Sequence, residues 1–305
     1  MNIKEKKKKL LKLLDVNEIS VREFYERFNE QGFKKEFKRL FKYRKKYFFY
    51  IISRFRPFQI KAETFWGENL WTTLPKELGL HLFGLLSKEI KLAKFLIKNF
   101  DENSVFFDVG AHCGFYSMLA RQFLDKGQIH AFEPAPKIFG LLQKNLCGIN
   151  ETFLNPVALL DKDGETDFYE DLQGGGRSSC SFYNLISDPR HPPFKKIRVE
   201  AITLDKYCHK HLSPDLLKID VEGSEQHVIE GGLSTLENAN PIIAIEICRK
   251  PLDNQPHLDA MKILYNLNYK SYRINENGEL ELIKKINPEE NIPEKFRWDN
   301  FIFKK

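Results

Sequence analysis

The segment FFDVGAHCGFYSMLAR, residues 106–121, joins an apolar run to an apolar-periodic segment through an acid and two glycines. The apolar run predicts a buried strand, and the periodic segment predicts a helix. Gly110 can adopt a backbone conformation that other residues avoid and leaves room for a ligand, while Gly114 lets the helix start close to the strand.

Short apolar runs alternate with amphipathic segments through much of the chain. Strands are predicted at 105–110, 128–134, 152–160, 216–223, 241–247, 269–274 and 300–303, and helices at 87–100, 115–124, 136–146, 224–232 and 258–267. Strands that alternate with helices form parallel βαβ units. The sequence therefore predicts an α/β fold with a doubly wound sheet.

Charge is unevenly distributed along the 305 residues. Residues 1–60 hold 18 Lys and Arg against 7 Asp and Glu, whereas the remaining 245 residues hold 30 against 35. A basic arm joined to a mildly acidic body is therefore predicted. Because the body does not continue the basic surface, no nucleic-acid partner is predicted.

The basic arm also contains 13 aromatic residues. Apolar side chains recur near helical spacing at Phe37, Phe41, Phe48, Ile52 and Phe55. A basic amphipathic helix within residues 1–60 can bind peripherally to the anionic inner face of the membrane. Alternatively, the aromatic stripe packs on the body and leaves the lysines in solvent.

Cysteine usage and hydropathy indicate a cytoplasmic location. The five cysteines are scattered and give neither a disulfide nor a zinc pattern. We find no apolar run of about 18 residues that would form a transmembrane helix. The N-terminus has no signal-peptide core.

Ligands of a doubly wound sheet bind beyond the carboxyl ends of its strands, where Asp108 is predicted to lie. A dinucleotide site for NAD requires G-x-G-x-x-G, whereas here the spacing is Gly110-x-x-x-Gly114. A carboxylate at Asp108 would repel a pyrophosphate and attract a cation, such as S-adenosylmethionine. Glu133, at the end of the second strand, can accept hydrogen bonds from ribose hydroxyls.

Five segments of the chain form a series: FFDVGAHCGFYSMLAR, HAFEPAPKIFGLLQKNL, NPVALLDKDG, TLDKY and LLKIDVEGSEQHVIEGG. Together they resemble the successive signature blocks of the FkbM-like methyltransferases. The resemblance covers roughly residues 90 to 305. It implies a class I, Rossmann-like methyltransferase fold with a seven-stranded sheet whose last strand is antiparallel, S-adenosylmethionine as donor, and a hydroxyl acceptor, often on a sugar.

Matching these blocks implies a cofactor site. Its residues are Asp108, Gly110, Ala111, His112 and Gly114 on the methionine side, Glu133 at the ribose and Ala158, at the end of the third strand, by the adenine. The family more often has Asn where this chain has His112. Both residues can donate a hydrogen bond that ties the loop, so we interpret His112 as structural.

Methyl transfer to oxygen also requires removal of a proton. Asp220 ends the fourth predicted strand, and Glu222 follows on the same face of an extended chain. We predict that Asp220 contacts the acceptor or the donor amino group, with Glu222 as the alternative base or as an acid that satisfies backbone N–H groups. With Glu246 these acids could bind Mg²⁺, but their spacing does not require it, and no metal is predicted.

The chain is divided into residues 1–75, a basic, aromatic-rich helical region, and 76–305, the methyltransferase domain. Residues 161–204 form an insertion predicted to be an acceptor-side lid, in which Arg177, Arg190 and His191 could engage an acidic glycan. The predicted function is O-methylation of a sugar, glycan or related metabolite. The alternative is a catalytically degenerate binding protein with a membrane- or RNA-binding arm.

Overall fold

A computed structural model describes residues 2–30, 40–86, 89–171, 194–249 and 254–305. The chain begins with helices α1 (Ile3–Glu30) and α2 (Leu40–Ser53), strands β1 (Phe58–Glu63) and β2 (Asn69–Leu74), and helices α3 (Leu78–Phe83) and α4 (Ile90–Asn99). Strands β1 and β2 form an antiparallel hairpin that the sequence analysis did not predict.

The remaining elements follow in chain order. They are β3 (Val105–Val109), α5 (Phe115–Ala120), β4 (Gln128–Phe132), α6 (Pro136–Leu146), β5 (Thr152–Asn155), β6 (Ala158–Leu159), β7 (Gly164–Asp171), β8 (Phe194–Ile202), α7 (Leu204–Cys208), β9 (Leu216–Ile219), α8 (Glu225–Glu230), α9 (Leu233–Ala239), β10 (Ile242–Cys248), α10 (Gln255–Asn266), β11 (Lys270–Ile274), β12 (Leu280–Ile283), α11 (Pro288–Asn291) and β13 (Trp298–Lys304).

The central sheet has the order β12-β11-β13-β10-β9-β3-β4-β5. Its last strand in the sequence, β13, runs antiparallel to both β10 and β11, as predicted. The described sheet has eight strands where seven were predicted, because β12 pairs with the edge of β11. A short turn that contains Asn277 and Gly278 returns the chain to form this pair.

Apolar cores lie on both faces of this sheet. Phe106 belongs to the core that includes residues of α4, α5 and α6, whereas its neighbour Phe107 belongs to the core that includes residues of α8, α9 and α10. Successive side chains of a strand point to opposite faces, so the apolar run at residues 105–107 contributes to both cores. The doubly wound architecture is therefore confirmed.

The predicted strand 152–160 divides into two. β5 ends at Asn155 in the central sheet. The chain then continues as β6, which belongs to a second sheet of order β6-β8-β7. β7 and β8 of the insertion form an antiparallel pair. Arg177, Arg190 and His191 lie outside the described residues, and the acceptor-side lid stays a prediction.

Helix α1 packs on the α/β body. Leu10 and Leu14 are buried in the same core as α4. The ammonium of Lys94, a side chain only 6% exposed, lies 2.7 Å from carboxylate oxygens of both Asp15 and Glu18. Since one core includes residues of α1, the β1–β2 hairpin and α4, the division of the chain at residue 75 stays a prediction. None of the described helices is long and apolar enough to cross a membrane.

Candidate active site

The loop after β3 is built from backbone contacts. The N–H groups of Gly110 and Ala111 both donate to the carbonyl oxygen of Phe132, at 3.0 and 2.9 Å, which ties the loop to the end of β4. Gly114 has a φ of +84°, and a Cβ there would press against two leucines of α6. Its role is therefore the close packing of α5 and α6.

Gly110 serves a different contact from the one expected. Its φ is +78°, and a Cβ on it would overlap the backbone oxygen of Asp220. The N–H of Asp220 in turn donates to the oxygen of Val109 at 3.0 Å. The missing side chain therefore lets two parallel strand ends approach, rather than only making room for a ligand.

A buried lysine joins the two principal acids of the site. The ammonium of Lys218 lies 3.1 Å from Asp220 Oδ2 and 3.7 Å from Asp108 Oδ1. Burial alone would lower the pKa of Lys218, but Asp220, Asp108 and Glu89 together outweigh that effect and raise it. Ser117 Oγ donates to the other oxygen of Asp108 at 2.7 Å. Lys218 therefore stays charged at the carboxyl ends of β3 and β9.

Glu133 holds the glycine loop from the end of β4. Its carboxylate accepts the N–H of His112 at 3.1 Å and the N–H of Ala135 at 2.8 Å. Burial raises its pKa to about 7 against the effect of these bonds. Each carboxylate oxygen has a second lone pair, so the group can still accept from a ligand hydroxyl.

We expect from the sequence that the side chain of His112 ties the loop, but in the structure it does not. The contact with Glu133 is made by the backbone N–H, and Nε2 is buried without a protein hydrogen-bond partner. Burial lowers the pKa of His112 to about 3, so the ring is neutral. Its φ of +51° lies in the region where Asn and His are both enriched, which explains how His can stand where the family more often has Asn.

The chain turns at Glu222, and the predicted extended geometry after Asp220 is wrong. Glu222 has a φ of +54° and Gly223 a φ of +101°. The buried carboxylate of Glu225 accepts N–H bonds from Val221 at 3.2 Å and Gly223 at 3.0 Å. Glu225 is therefore an acid that satisfies backbone groups of this turn, which the sequence analysis did not identify.

Glu225 is itself supported by a buried histidine. His257 Nδ1, on α10, lies 3.5 Å from Glu225 Oε2 and 3.0 Å from the backbone oxygen of Glu246. Glu246 on β10 is buried, and its pKa is raised well above its usual range by burial and then by Asp220 and Glu222. Glu246, on the fifth predicted strand, thus belongs to the same site.

Two acids that the sequence analysis missed reach this site from the segment before β3. Glu89, just before α4, accepts a 2.6 Å hydrogen bond from the hydroxyl of Tyr116, and the ammonium of Lys218 lies 5.3 Å from the centre of the Tyr116 ring. Burial, followed by Asp220, raises the pKa of Glu89 to about 7. The pKa of Glu77 is also raised by burial, with Asp220 contributing.

Two further residues, Ala158 and His227, lie away from the centre of this cluster of acids. Ala158 is buried at the start of β6, after the third strand of the central sheet has ended, so its predicted position on that strand is wrong. His227 on α8 is half exposed, with Nδ1 3.5 Å from Asp161 and 3.4 Å from Glu230. It therefore lies at the surface.

The residues present fit S-adenosylmethionine. Asp108 Oδ1 and His112 Nε2 are buried polar atoms without hydrogen-bond partners, and both belong to β3 and its loop. Glu133 has lone pairs for vicinal hydroxyls at the neighbouring strand end. An acid-rich site with one buried lysine suits a ligand that carries positive charge.

Comparison with known proteins agrees with this arrangement. The family model for the methyltransferase FkbM domain matches residues 108–271. The 2-O-methyltransferase NoeI of Sinorhizobium fredii is 29% identical over 142 residues, which are 43% of this chain and 58% of NoeI. The methyltransferase sdnD of Sordaria araneosa is 26% identical over 163 residues, 44% of this chain and 62% of sdnD. The chain thus spans about three fifths of these relatives.

A solved structure of the methyltransferase FkbM from Methylobacillus flagellatus aligns with 75% of this chain and 52% of its own, at 13% identity and a TM-score of 0.45. The family model covers more than half of the chain, from Asp108 at the end of β3 to Ser271 in β11. It includes the glycine loop, Glu133 and the Asp220–Glu225 turn. The chain belongs to the family defined by the methyltransferase FkbM domain.

Proposed function

We propose that this protein transfers a methyl group from S-adenosylmethionine to a hydroxyl oxygen of a sugar, glycan or related metabolite. The observation that carries the proposal is the cluster of Asp108, Lys218 and Asp220 at adjoining strand ends, beside the glycine loop. Family membership and a relative named as a 2-O-methyltransferase support both the reaction class and oxygen as the acceptor atom.

The donor is assigned to the loop after β3 and to Glu133. When bound, S-adenosylmethionine supplies a methyl group on a sulfonium centre, which is already an excellent leaving group. The protein must therefore align an acceptor hydroxyl and remove its proton. We assign the ribose hydroxyls of S-adenosylmethionine to Glu133. We assign its positively charged methionine end to the acids around Lys218.

The acceptor is assigned to Asp220 and to the acids near it. Lys218 holds the Asp220 carboxylate at 3.1 Å and leaves its second oxygen for a hydroxyl. Asp220 is our first candidate for the base, and Glu222 remains the alternative. The raised pKa of Glu246 favours its protonated form, which donates a hydrogen bond rather than accepting a proton.

Calorimetric titration of the full chain with S-adenosylhomocysteine, with NAD in parallel, tests the cofactor assignment. We expect micromolar binding of the first and none of the second. Binding of neither by a folded protein would overturn the proposal and favour a non-catalytic binding protein.

Replacement of Asp220 tests the catalytic assignment. Transfer of labelled methyl groups to a panel of sugars should be abolished in Asp220→Asn, while affinity for S-adenosylhomocysteine stays within about tenfold. Asp163→Asn, at an exposed ion pair with Lys206, is the matched control. Full transfer by Asp220→Asn would remove Asp220 from the reaction.

A further inference from the structure

Helix α2 contacts the rest of the protein through one face. The ammonium of Lys46 lies 3.5 Å from the backbone oxygen of Leu82, and the backbone oxygen of Lys46 lies 3.2 Å from His81 Nε2. Three and seven residues later, Phe49, which is still 41% exposed, packs edge-on against Phe58, and Ser53 is fully buried. These spacings define the inner face of the helix.

The opposite face carries four exposed apolar side chains. Phe48 is 59% exposed, Ile51 43%, Ile52 42% and Phe55 89%. They occupy positions i, i+3, i+4 and i+7, and so share one side of a helix. Phe55 lies just beyond the end of α2, but its N–H still donates to the oxygen of Ile52 at 3.0 Å, which continues the helical turn. We call these four residues the α2 stripe.

Basic residues flank the α2 stripe in the sequence. Arg54 and Arg56, beside Phe55, are both exposed. The sequence of α2 also contains Lys42, Arg44 and Lys45, besides Lys46 of the inner face. The stripe thus lies within the arm whose 18 basic residues outnumber 7 acidic ones.

The apolar stripe and its basic neighbours together indicate which kind of partner binds this face of α2. Contiguous exposed apolar side chains mark sites of interaction with proteins or membranes. A second copy of the arm would bring two basic surfaces together, which is unfavourable. An anionic lipid surface accepts apolar side chains at its acyl boundary and attracts lysine and arginine at its headgroups.

We propose that the α2 stripe docks the protein on an anionic phospholipid surface. Phe48, Ile51, Ile52 and Phe55 enter the interface, and the neighbouring basic residues contact the lipid headgroups. The inner face of α2 holds the helix against α3 and β1, so docking also fixes the α/β body near the membrane. This proposal is independent of the reaction that the body catalyses.

Vesicle flotation of the full chain tests the proposal. Vesicles of phosphatidylcholine with phosphatidylglycerol should carry the protein upward, and vesicles of phosphatidylcholine alone should carry far less. Added salt should weaken the binding, because part of the attraction is electrostatic. Equal recovery with both vesicle types would overturn the proposal.

A pair of substitutions separates the stripe from other exposed apolar residues. Ile52→Ser combined with Phe55→Ser should weaken partitioning to anionic vesicles at least about tenfold. Leu282→Ser, at a residue of β12 that is 65% exposed, should leave it unchanged. Unchanged binding of S-adenosylhomocysteine, if the parent binds it, or an unchanged circular dichroism spectrum would show that each variant folds.

Analytical ultracentrifugation without lipid covers the competing occupant. The parent and the double variant should sediment alike. A self-associated parent that the double variant converts to a smaller species, together with no flotation of either, would assign the stripe to contact between copies and overturn the membrane proposal.

Discussion

The backbone oxygen of Asp220 occupies the space that a side chain at Gly110 would need. The glycine loop of the donor site and the acid assigned to the acceptor are therefore in direct backbone contact. Residues on β3 and β9 are brought together because these parallel strands are neighbours in the sheet. Because of this contact, even the methyl group of an alanine at position 110 would disturb the loop.

Gly110→Ala is expected to destabilise the protein by at least about 2 kcal/mol, since it combines a left-handed backbone with a steric overlap. Gly140→Ala is the matched control, because Gly140 lies inside α6 with open space around its Cβ position. That change should stabilise by about 0.5–1 kcal/mol. Urea unfolding measures both, and equal effects would contradict the role of Gly110.

Glu133→Gln is expected to weaken binding of S-adenosylhomocysteine at least about tenfold, because the amide offers one acceptor oxygen where the carboxylate offers two. The pKa of Glu133 is raised to about 7. Below that pH the group is neutral, and above it the carboxylate is complete. Affinity should therefore rise as pH passes through about 7 and then level off.

Calorimetry at several pH values checks this dependence. The rise should be absent from Glu133→Gln and retained in Asp163→Asn, whose carboxylate lies at an exposed ion pair. If Glu133→Gln kept the same pH dependence, Glu133 would not be its source.

Glu225→Gln is expected to destabilise the protein by about 1–3 kcal/mol, because the buried carboxylate accepts backbone N–H bonds from Val221 and Gly223. Glu230→Gln, on the same helix but partly exposed, should change stability much less. Urea unfolding compares the two, and a larger loss from Glu230→Gln would show that the turn does not depend on Glu225.

Tyr116→Phe is expected to raise the pKa of Glu89 further above about 7. The Tyr116 hydroxyl donates to Glu89 at 2.6 Å and favours its charged form, so removal of the hydroxyl favours the neutral carboxyl. Carbon-13 NMR of the glutamate carboxyl groups follows this titration. Tyr272→Phe, on β11, is the control, and a lower pKa in Tyr116→Phe would contradict the geometry.

The sequence was sufficient for the main sheet and for the central acids. Buried strands that alternate with helices predict which carboxyl ends meet, and so Asp108 and Asp220 were expected at one edge. Glu222 was misplaced because an extended chain was assumed up to Gly223, whereas the turn begins at Glu222 itself. A non-glycine residue with positive φ gives no local signal in such a run.

Glu89 and Glu77 could not be found from spacing. Glu89 precedes the glycine loop by a helix and a strand, and Glu77 by two helices and a strand. Only the packing of Tyr116 and Lys218 brings Glu89 to the site. Glu225 was overlooked because Ser224, a residue type that often caps helices, stands directly before its helix. In the structure Ser224 Oγ is buried without a hydrogen-bond partner, and Glu225 binds the backbone instead.

Glu77 and Glu89 lie before the segment that the family model matches, and β13, inserted between β10 and β11, lies after it. A chain trimmed to residues 108–271 would keep the glycine loop but lose two acids of the site and a central strand of the sheet. In a chimera between relatives, the modular unit is therefore larger than the matched segment. This unit extends from the acids before α4, Glu77 and Glu89, to the antiparallel strand β13.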